Sequence, residues 1–181
     1  MRHFTKAIAA TLIAATGMLA ATSPAWSAFP DRSIRLIVSF PPGGSSDAMA
    51  RIVQPFLEKK LGQTVIVENK PGAGGMIAID YVSKQPADGY VIGLGGAGAL
   101  GTNLGLQPMP YDPKKDVVAI TGLASSPFIL AAPKIFKGNT LQEVIAEAKG
   151  GQKLSIGHCG NGTLMHLAAE MLLQEAHINA A

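Results

Sequence analysis

The chain has 181 residues, of which 48% are hydrophobic and 15% are charged, with fifteen Lys and Arg against twelve Asp and Glu. Two of the basic residues, Arg2 and Lys6, lie at the very start, so residues 28–181 are close to neutral. No basic stripe is interleaved with aromatic residues, which argues against a nucleic-acid-binding protein. The single cysteine, Cys159, excludes an internal disulfide, so the fold depends on its apolar core.

The first 27 residues have the pattern of a secretory signal peptide. A short basic start precedes an acid-free apolar run at residues 7–21, and Ala25-Trp26-Ser27 fits a small-x-small cleavage site. The apolar run is shorter than the ~20 residues that a spanning helix needs, which disfavours a retained membrane anchor. We therefore expect an exported, periplasmic protein that begins at Ala28 or Phe29.

The next segment predicts an alternating β-α-β-α-β unit. Short apolar runs typical of buried strands occur at residues 34–39, 64–68 and 90–94. Residues 46–61 and 75–84 lie between them and have apolar residues at helical spacing. This alternation predicts parallel strands joined by right-handed crossovers.

Two glycine-rich loops follow the first two strands, FPPGGSSD at residues 40–47 and NKPGAGG at residues 69–75. Both leave the carboxyl ends of parallel strands, so we expect them at one edge of the sheet, where open α/β folds bind ligands. Ser45 or Ser46 is the predicted N-cap of the first helix, with Asp47 in its first turn. Helix starts present unpaired N–H groups, so these loops predict capture of an anion by the main chain.

The remaining chain predicts a second lobe. Residues 95–111 are rich in glycine and proline and predict an irregular passage. Strands are predicted at residues 117–123, 128–132 and 154–157, and helices at residues 140–149 and 164–175. A capping-box pattern, Thr140-Leu141-Gln142-Glu143, opens the first of these helices. We expect a first lobe at residues 28–113 and a second at 114–181, facing each other across a cleft.

Several motifs together resemble the extracytoplasmic solute receptors of the tripartite tricarboxylate transporter family, the Bug receptors. They are FPDRSIRLIV from residue 29, FPPGGSSD from residue 40, GQTVIVENKPGAGG from residue 62, ADGY from residue 87 and GTLMHLAAE from residue 162. The resemblance covers essentially the whole of residues 28–181.

The resemblance implies an α/β fold of the periplasmic-binding-protein type, with two lobes, parallel-rich sheets and an interdomain cleft. It implies a receptor, not an enzyme, that captures a small mono- or dicarboxylate without a cofactor or metal and delivers it to inner-membrane carrier subunits. Carried over by position, the ligand-binding candidates are Pro42, Gly43, Gly44, Ser45, Asp47, Gly72, Ala73, Gly74, Gly162, Thr163 and His166.

The sequence departs from the family pattern in two ways. The loop after the third strand, residues 95–103, lacks the Ser/Thr-rich character usual in the family, so the ligand is not identified. The family also runs to about twice the length of residues 28–181, which predicts that the C-terminal half of the fold is missing. A truncated member that does not function therefore stays open as an alternative.

Three side-chain patterns allow other interpretations. Gly93, Gly95 and Gly98 form a G-x-G-x-x-G, but a dinucleotide site requires a helix that opens at the third glycine, and the following residues favour no helix. Cys159, beside His158 and near His166, suggests a secreted Cys-dependent hydrolase, although a lone cysteine after a buried strand is more often a packing residue. His166 has either a structural or a ligand-adjacent role.

Overall fold

The computed structural model describes residues 28–134, 136, 138 and 140–180. The predicted signal peptide at residues 1–27 lies outside the described residues. The described residues from Arg32 onwards belong to one compact unit. No helix of the described part is long and apolar enough to cross a membrane.

Three parallel strands form the sheet, in the order β2-β1-β3. They are β1 (Ile34–Val38), β2 (Val65–Asn69) and β3 (Val91–Leu94). Helix α1 (Ser45–Leu61) connects β1 to β2, and α2 (Met76–Ser83) connects β2 to β3. The predicted β-α-β-α-β unit is confirmed, with bounds within one or two residues of those read from periodicity.

Both faces of the sheet are covered. On one face, Ile34, Leu36 and Val38 of β1 pack with Ala50 of α1 and Val65 of β2. Each of these residues is at most 4% exposed, and burying a branched apolar side chain contributes about 1.5–3 kcal/mol. This core fixes the sheet and therefore the loops at its carboxyl edge.

On the other face, a polar cluster joins β1, β2 and α2. The Arg35 guanidinium donates to both carboxylate oxygens of Glu68, at 2.5 and 2.7 Å, and to Tyr81 Oη at 2.6 Å. Hydrogen bonding by Glu68 raises the pKa of Arg35, and the same bond lowers the pKa of Glu68. A bidentate pair of this kind fixes the relative position of the strands as well as contributing energy.

Helix α1 does not begin as predicted. Its N-cap is Gly44 and not Ser45 or Ser46, and no side chain caps it. The physical reason is that the Asp47 carboxylate folds back and accepts a hydrogen bond from the Gly43 N–H at 3.0 Å. The predicted end at Gly62 is confirmed, because Gly62 has the left-handed φ of 67° that favours glycine there.

After β3 the chain forms short helices. They are α3 (Ala97–Leu100), a 3-10 turn (Thr102–Gly105), α4 (Leu141–Lys149) and α5 (Leu164–Ala176). The capping box of α4 is confirmed, since Thr140 accepts from the Glu143 N–H and Glu143 accepts from the Thr140 N–H. Helix α5 follows its predicted start, with Thr163 as its N-cap.

The predicted strands of the C-terminal part are wrong. Residues 117–123 and 128–132 form no strand, and their side chains are largely exposed, reaching 86% at Val118 and 85% at Ile129. Residues 154–157 form only a single parallel bridge, from Leu154 to Ala180. A strand needs a hydrogen-bonded neighbour, and no described strand pairs with residues 117–132.

Candidate functional site

A pocket of about 610 Å³ opens at the carboxyl edge of the sheet. Its walls come from three segments: the end of β1, the turn after β2, and the loop that precedes α5. The lining residues are Ser39, Phe40, Pro41, Pro71, Gly72, Ala73, Gly74, Gly75, Cys159, Gly160 and Asn161.

The two sheet loops are held at one edge by main-chain hydrogen bonds. The Lys70 N–H donates to Val38 O at 2.8 Å, and the Ser39 N–H donates to Leu94 O at 3.1 Å. Ser39 Oγ also donates to Leu94 O, so this buried hydroxyl ties β1 to β3. The predicted meeting of both glycine loops at the same edge of the sheet is confirmed.

The second loop continues as a tight 3-10 turn, Ala73–Gly75. Gly75 N–H donates to Gly72 O at 2.9 Å and closes the turn. The N–H groups of Ala73 and Gly74 precede this bond, so the turn itself supplies no acceptor for them. Both donors belong to residues that line the pocket.

A close approach explains one glycine of this turn. A Cβ atom at Gly74 would lie 2.9 Å from Asn161 O, a contact that real Cβ atoms do not make. Gly74 also has a φ of 62°, which disfavours other residues. Gly74 therefore lets the turn after β2 lie directly against the loop before α5.

Asp47 stabilises the first loop from within. Its buried carboxylate accepts from Arg51 Nε, from the Gly43 N–H and from Asn69 Nδ2, each at 3.0 Å. Hydrogen bonding by Arg51, followed by that of Gly43 and Asn69, lowers the pKa of Asp47 to about 2. These three donors occupy the carboxylate, which favours a role in holding the loop over a role as a general base.

Thr163 and His166 also make internal contacts. Thr163 Oγ1 donates to Gly160 O at 2.7 Å and accepts from the His166 N–H at 3.3 Å, which is the N-cap bond of α5. His166 Nδ1 accepts from the Gly162 N–H at 3.5 Å, and its Nε2 lies 3.7 Å from Glu170. These bonds shape the loop that carries Asn161.

The exposed Cys159 thiol lies on the pocket wall beside two histidines. Cys159 Sγ lies 3.3 Å from Met165 Sδ, a sulfur-to-sulfur contact. The rings of His158 and His166 are 4.7 Å apart, and each uses Nδ1 to accept a backbone N–H, from Gly160 and Gly162 respectively. The thiol thus contacts the thioether of Met165, whereas the thiol of a hydrolase would pair with an imidazole base.

The structure also bears on a dinucleotide site and on a metal site. The segment after Gly93 forms only the four-residue α3, while a dinucleotide site needs a full helix at the third glycine. Among the described residues, no group of three or more His, Cys, Asp or Glu side chains is arranged to hold a metal ion.

The predicted site residues divide into two sets. Gly72, Ala73 and Gly74 line the pocket. The remaining candidates lie one to a few residues beyond the lining, at the starts of α1 and α5: Pro42, Gly43, Gly44, Ser45, Asp47, Gly162, Thr163 and His166.

Sequence reasoning missed several lining residues. Among them are Ser39 and Phe40, which directly follow β1, and Gly160 and Asn161 in the loop before α5. The available signal was position: each lies within a few residues of a predicted candidate. None of the lining residues carries a charged side chain, and Asn161 is the one with a side-chain amide. The pocket is therefore suited to recognition by neutral dipoles.

Comparison with known proteins identifies the family of the chain. The family described as "Tripartite tricarboxylate transporter family receptor" matches residues 49–181. Protein BugT of Bordetella pertussis is 39% identical over 145 residues, which cover 79% of this chain and 44% of BugT. The chain spans about half the length of the curated relatives it matches.

Solved structures give the same assignment. A protein of R. palustris determined with adipate has a TM-score of 0.79 and 31% identity, over 84% of this chain and 52% of that one. MatC from Rhodopseudomonas palustris with bound malate has a TM-score of 0.76 and 29% identity, over 84% and 53%. The predicted periplasmic-binding-protein fold is thus confirmed, and this chain belongs to the tripartite tricarboxylate transporter receptor family.

Proposed function

We propose that this chain is an extracytoplasmic receptor that captures a small mono- or dicarboxylate for a tripartite tricarboxylate-type transporter. The observation that carries the proposal is the pocket between the two glycine loops and the 159–161 loop, lined by main chain and neutral side chains. Membership of the receptor family supports it.

The carboxylate would be held by dipoles and not by an ion pair. Ala73, Gly74 and Asn161 line the wall, and oriented N–H groups bind anions without a countercharge. Malate and adipate, the compounds present in the two similar structures, are both dicarboxylates. This chemistry makes small dicarboxylates the first compounds to test.

The cellular setting is part of the proposal. The signal-peptide pattern at residues 1–27 and the periplasmic relatives support export to the periplasm, where the receptor would meet inner-membrane carrier subunits. We propose lobes at residues 28–113 and 114–181, which places the pocket between them. Catalysis is not part of this function, because family members act as receptors.

A binding experiment tests the proposal. The exported chain is titrated calorimetrically with malate, adipate and the dimethyl ester of malate, which has the same skeleton without charge. We expect heat and a raised melting temperature with at least one diacid and none with the ester. A stably folded chain that binds no member of a broad carboxylate panel would instead favour the alternative of a nonfunctional fragment.

A further inference from the structure

Asn103 is fully buried next to the pocket but is not part of its lining. It lies in the 3-10 turn Thr102–Gly105, which follows α3. Its backbone oxygen accepts from the N–H groups of Leu106 and Gln107, each at 3.1 Å. These local main-chain bonds close the turn that carries the side chain.

The Asn103 side chain lies between two loops that wall the pocket. A Cβ atom at Gly162 would clash with the Asn103 amide oxygen. A Cβ atom at Gly74 would lie 3.4 Å from Asn103 Nδ2. The same side chain therefore sits against the turn after β2 and against the loop before α5.

A third glycine completes this junction. A Cβ atom at Gly98 would lie 2.7 Å from Gly162 O and 3.4 Å from Gly74 O. Three glycines, from the turn after β2, from α3 and from the loop before α5, thus allow main chain to approach main chain around one amide. Substitutions at any of them would push the loops apart.

The Asn103 amide is only partly satisfied. Its Oδ1 accepts a long hydrogen bond from Gln107 Nε2 at 3.4 Å, whereas Nδ2 is buried and has no hydrogen-bond partner among the described residues. A buried donor without an acceptor requires an explanation, since such groups are rare. The Cβ position of Gly74 lies 2.9 Å from Asn161 O and 3.4 Å from Asn103 Nδ2, so the unpaired donor and the loop before α5 both border this glycine.

We propose that Asn103 is a positioning residue that holds the Gly72–Gly75 turn and the 159–162 loop at the spacing that forms the pocket. Its volume lies between the loops, and its buried Nδ2 has no hydrogen-bond partner among the described residues, so a neutral side chain is tolerated there and a buried carboxylate is not. This inference rests on the proposed function only for its effect on ligand affinity. Its effect on the two loops is independent of any ligand.

Amide hydrogen exchange of the full chain without ligand tests the spacing. Asn103→Asp keeps the shape but buries a carboxylate whose one donor among the described residues is Gln107 Nε2 at 3.4 Å, so we expect the amides of residues 72–75 and 160–163 to exchange about tenfold faster or more. Asn103→Leu keeps the four side-chain heavy atoms and the branching at Cγ and removes the orphan donor, so exchange should stay within about threefold of the unmodified chain. Leu104→Asp adds the same charge at the next, half-exposed position and controls for charge alone.

The outcomes distinguish a role of Asn103 in positioning both pocket loops from a role confined to its own turn. Faster exchange in both loops, with the Gly62 amide unchanged, supports the inference. A change confined to residues 102–107, or one equal to that of Leu104→Asp, overturns it. Should Asn103→Asp fail to fold, Asn103→Ala replaces it, because loss of the spacer should also release both loops.

Malate titration of the same variants adds a second readout. We expect Asn103→Asp and Asn103→Ala to bind about tenfold more weakly or worse, and Asn103→Leu to remain within about threefold. Equal affinity in all variants would contradict the inference. If the unmodified chain binds none of the carboxylates, the proposed function fails, and the exchange result alone still decides the role of Asn103.

Discussion

Asn69, the last residue of β2, donates through Nδ2 to the Asp47 carboxylate in the first turn of α1, at 3.0 Å. The same nitrogen lies 3.0 Å from Phe40 O, in the first loop. One amide therefore joins the end of β2 to both ends of the loop after β1. The two loops form one frame before a ligand arrives, and such pre-organisation reduces the entropic cost of binding.

The low pKa of Asp47 predicts a specific acid sensitivity. The pKa is lowered from its ordinary 3.8 to about 2, chiefly by the Arg51 hydrogen bond. A group with a lower pKa in the folded state stabilises the fold above its ordinary pKa and loses that contribution as pH falls towards the folded value. We therefore expect Asp47→Asn to be less stable than the unmodified chain at pH 6, with the difference shrinking between about pH 4 and pH 2.

Urea unfolding of both proteins at a series of pH values measures this difference. The pKa values of Glu68 and Asp112 are also lowered, so both proteins lose some stability in acid. Because those groups are present in both, their contributions cancel in the comparison. A difference that stays constant from pH 6 to pH 2 would show that the Asp47 contacts do not depend on its charge.

Periodicity and glycine placement were sufficient to predict the sheet and the edge at which the site lies. They were not sufficient to predict the lining of the pocket, since the predicted candidates Gly43 and Asp47 bond to each other and are not among the lining residues. The sequence shows Asp47 only as an acid in a first helical turn. Whether such a side chain contacts a ligand or its own loop depends on tertiary geometry.

Residues 117–132 show a second limit of sequence reasoning. Their apolar runs have the composition of buried strands, yet side chains such as Ile129 are exposed and no described strand pairs with them. Strand propensity measures how well a residue fits a pleated, half-buried surface, so it requires a neighbour. Composition therefore predicted that residues 117–132 can form strands, but they form none with the described residues as neighbours.

Gly74 and Gly62 have the same backbone conformation, so Ala substitutions at the two positions distinguish the cost of backbone strain from the cost of a clash between loops. Gly74 and Gly62 have φ of 62° and 67°, and a Cβ at Gly62 would meet nothing within 4 Å. Substitution by Ala should cost roughly 1–2 kcal/mol of backbone strain at either position. At Gly74 the clash with Asn161 O should add about 1–3 kcal/mol.

Chemical denaturation of Gly74→Ala and Gly62→Ala gives the two costs directly. If the glycine loops form the binding pocket, only Gly74→Ala should also lose carboxylate affinity. Equal destabilisation of the two variants would mean that the turn after β2 and the loop before α5 move apart freely.

Tyr111 predicts a sensitivity to base. Its buried hydroxyl donates to Ala99 O at 2.5 Å, and burial, followed by the charge of Asp80, raises its pKa to about 12. The contribution of Tyr111 is therefore complete below its ordinary pKa of 10.0 and is lost as pH rises towards about 12. Tyr111→Phe should cost roughly 1–3 kcal/mol at pH 8, because Ala99 O is left without this donor.

Unfolding at pH 8 and pH 11 checks this prediction. The gap between the unmodified chain and Tyr111→Phe should narrow at pH 11, since only the unmodified chain loses the hydroxyl contribution. Other groups that titrate at high pH are shared by both proteins. A gap that is the same at both pH values would place the Tyr111 hydroxyl in contact with water.

Cys159 distinguishes a receptor from a hydrolase. Its thiol lies on the pocket wall and contacts the Met165 thioether, so Cys159→Ala removes one wall atom and no hydrogen bond to the sheet loops. A receptor should retain carboxylate affinity within about threefold, since the main-chain donors remain in place. A hydrolase would lose all turnover of ester and thioester substrates with the same substitution.

The single cysteine also reports occupancy of the pocket. Cys159 is the one thiol in the sequence. The rate at which the protein reacts with a disulfide reagent therefore reports on the accessibility of this part of the pocket wall. A bound carboxylate should slow that reaction, whereas the dimethyl ester of malate should not. Equal rates with and without a carboxylate shown by calorimetry to bind would place the ligand elsewhere, because a ligand in this pocket contacts the segment that carries the thiol.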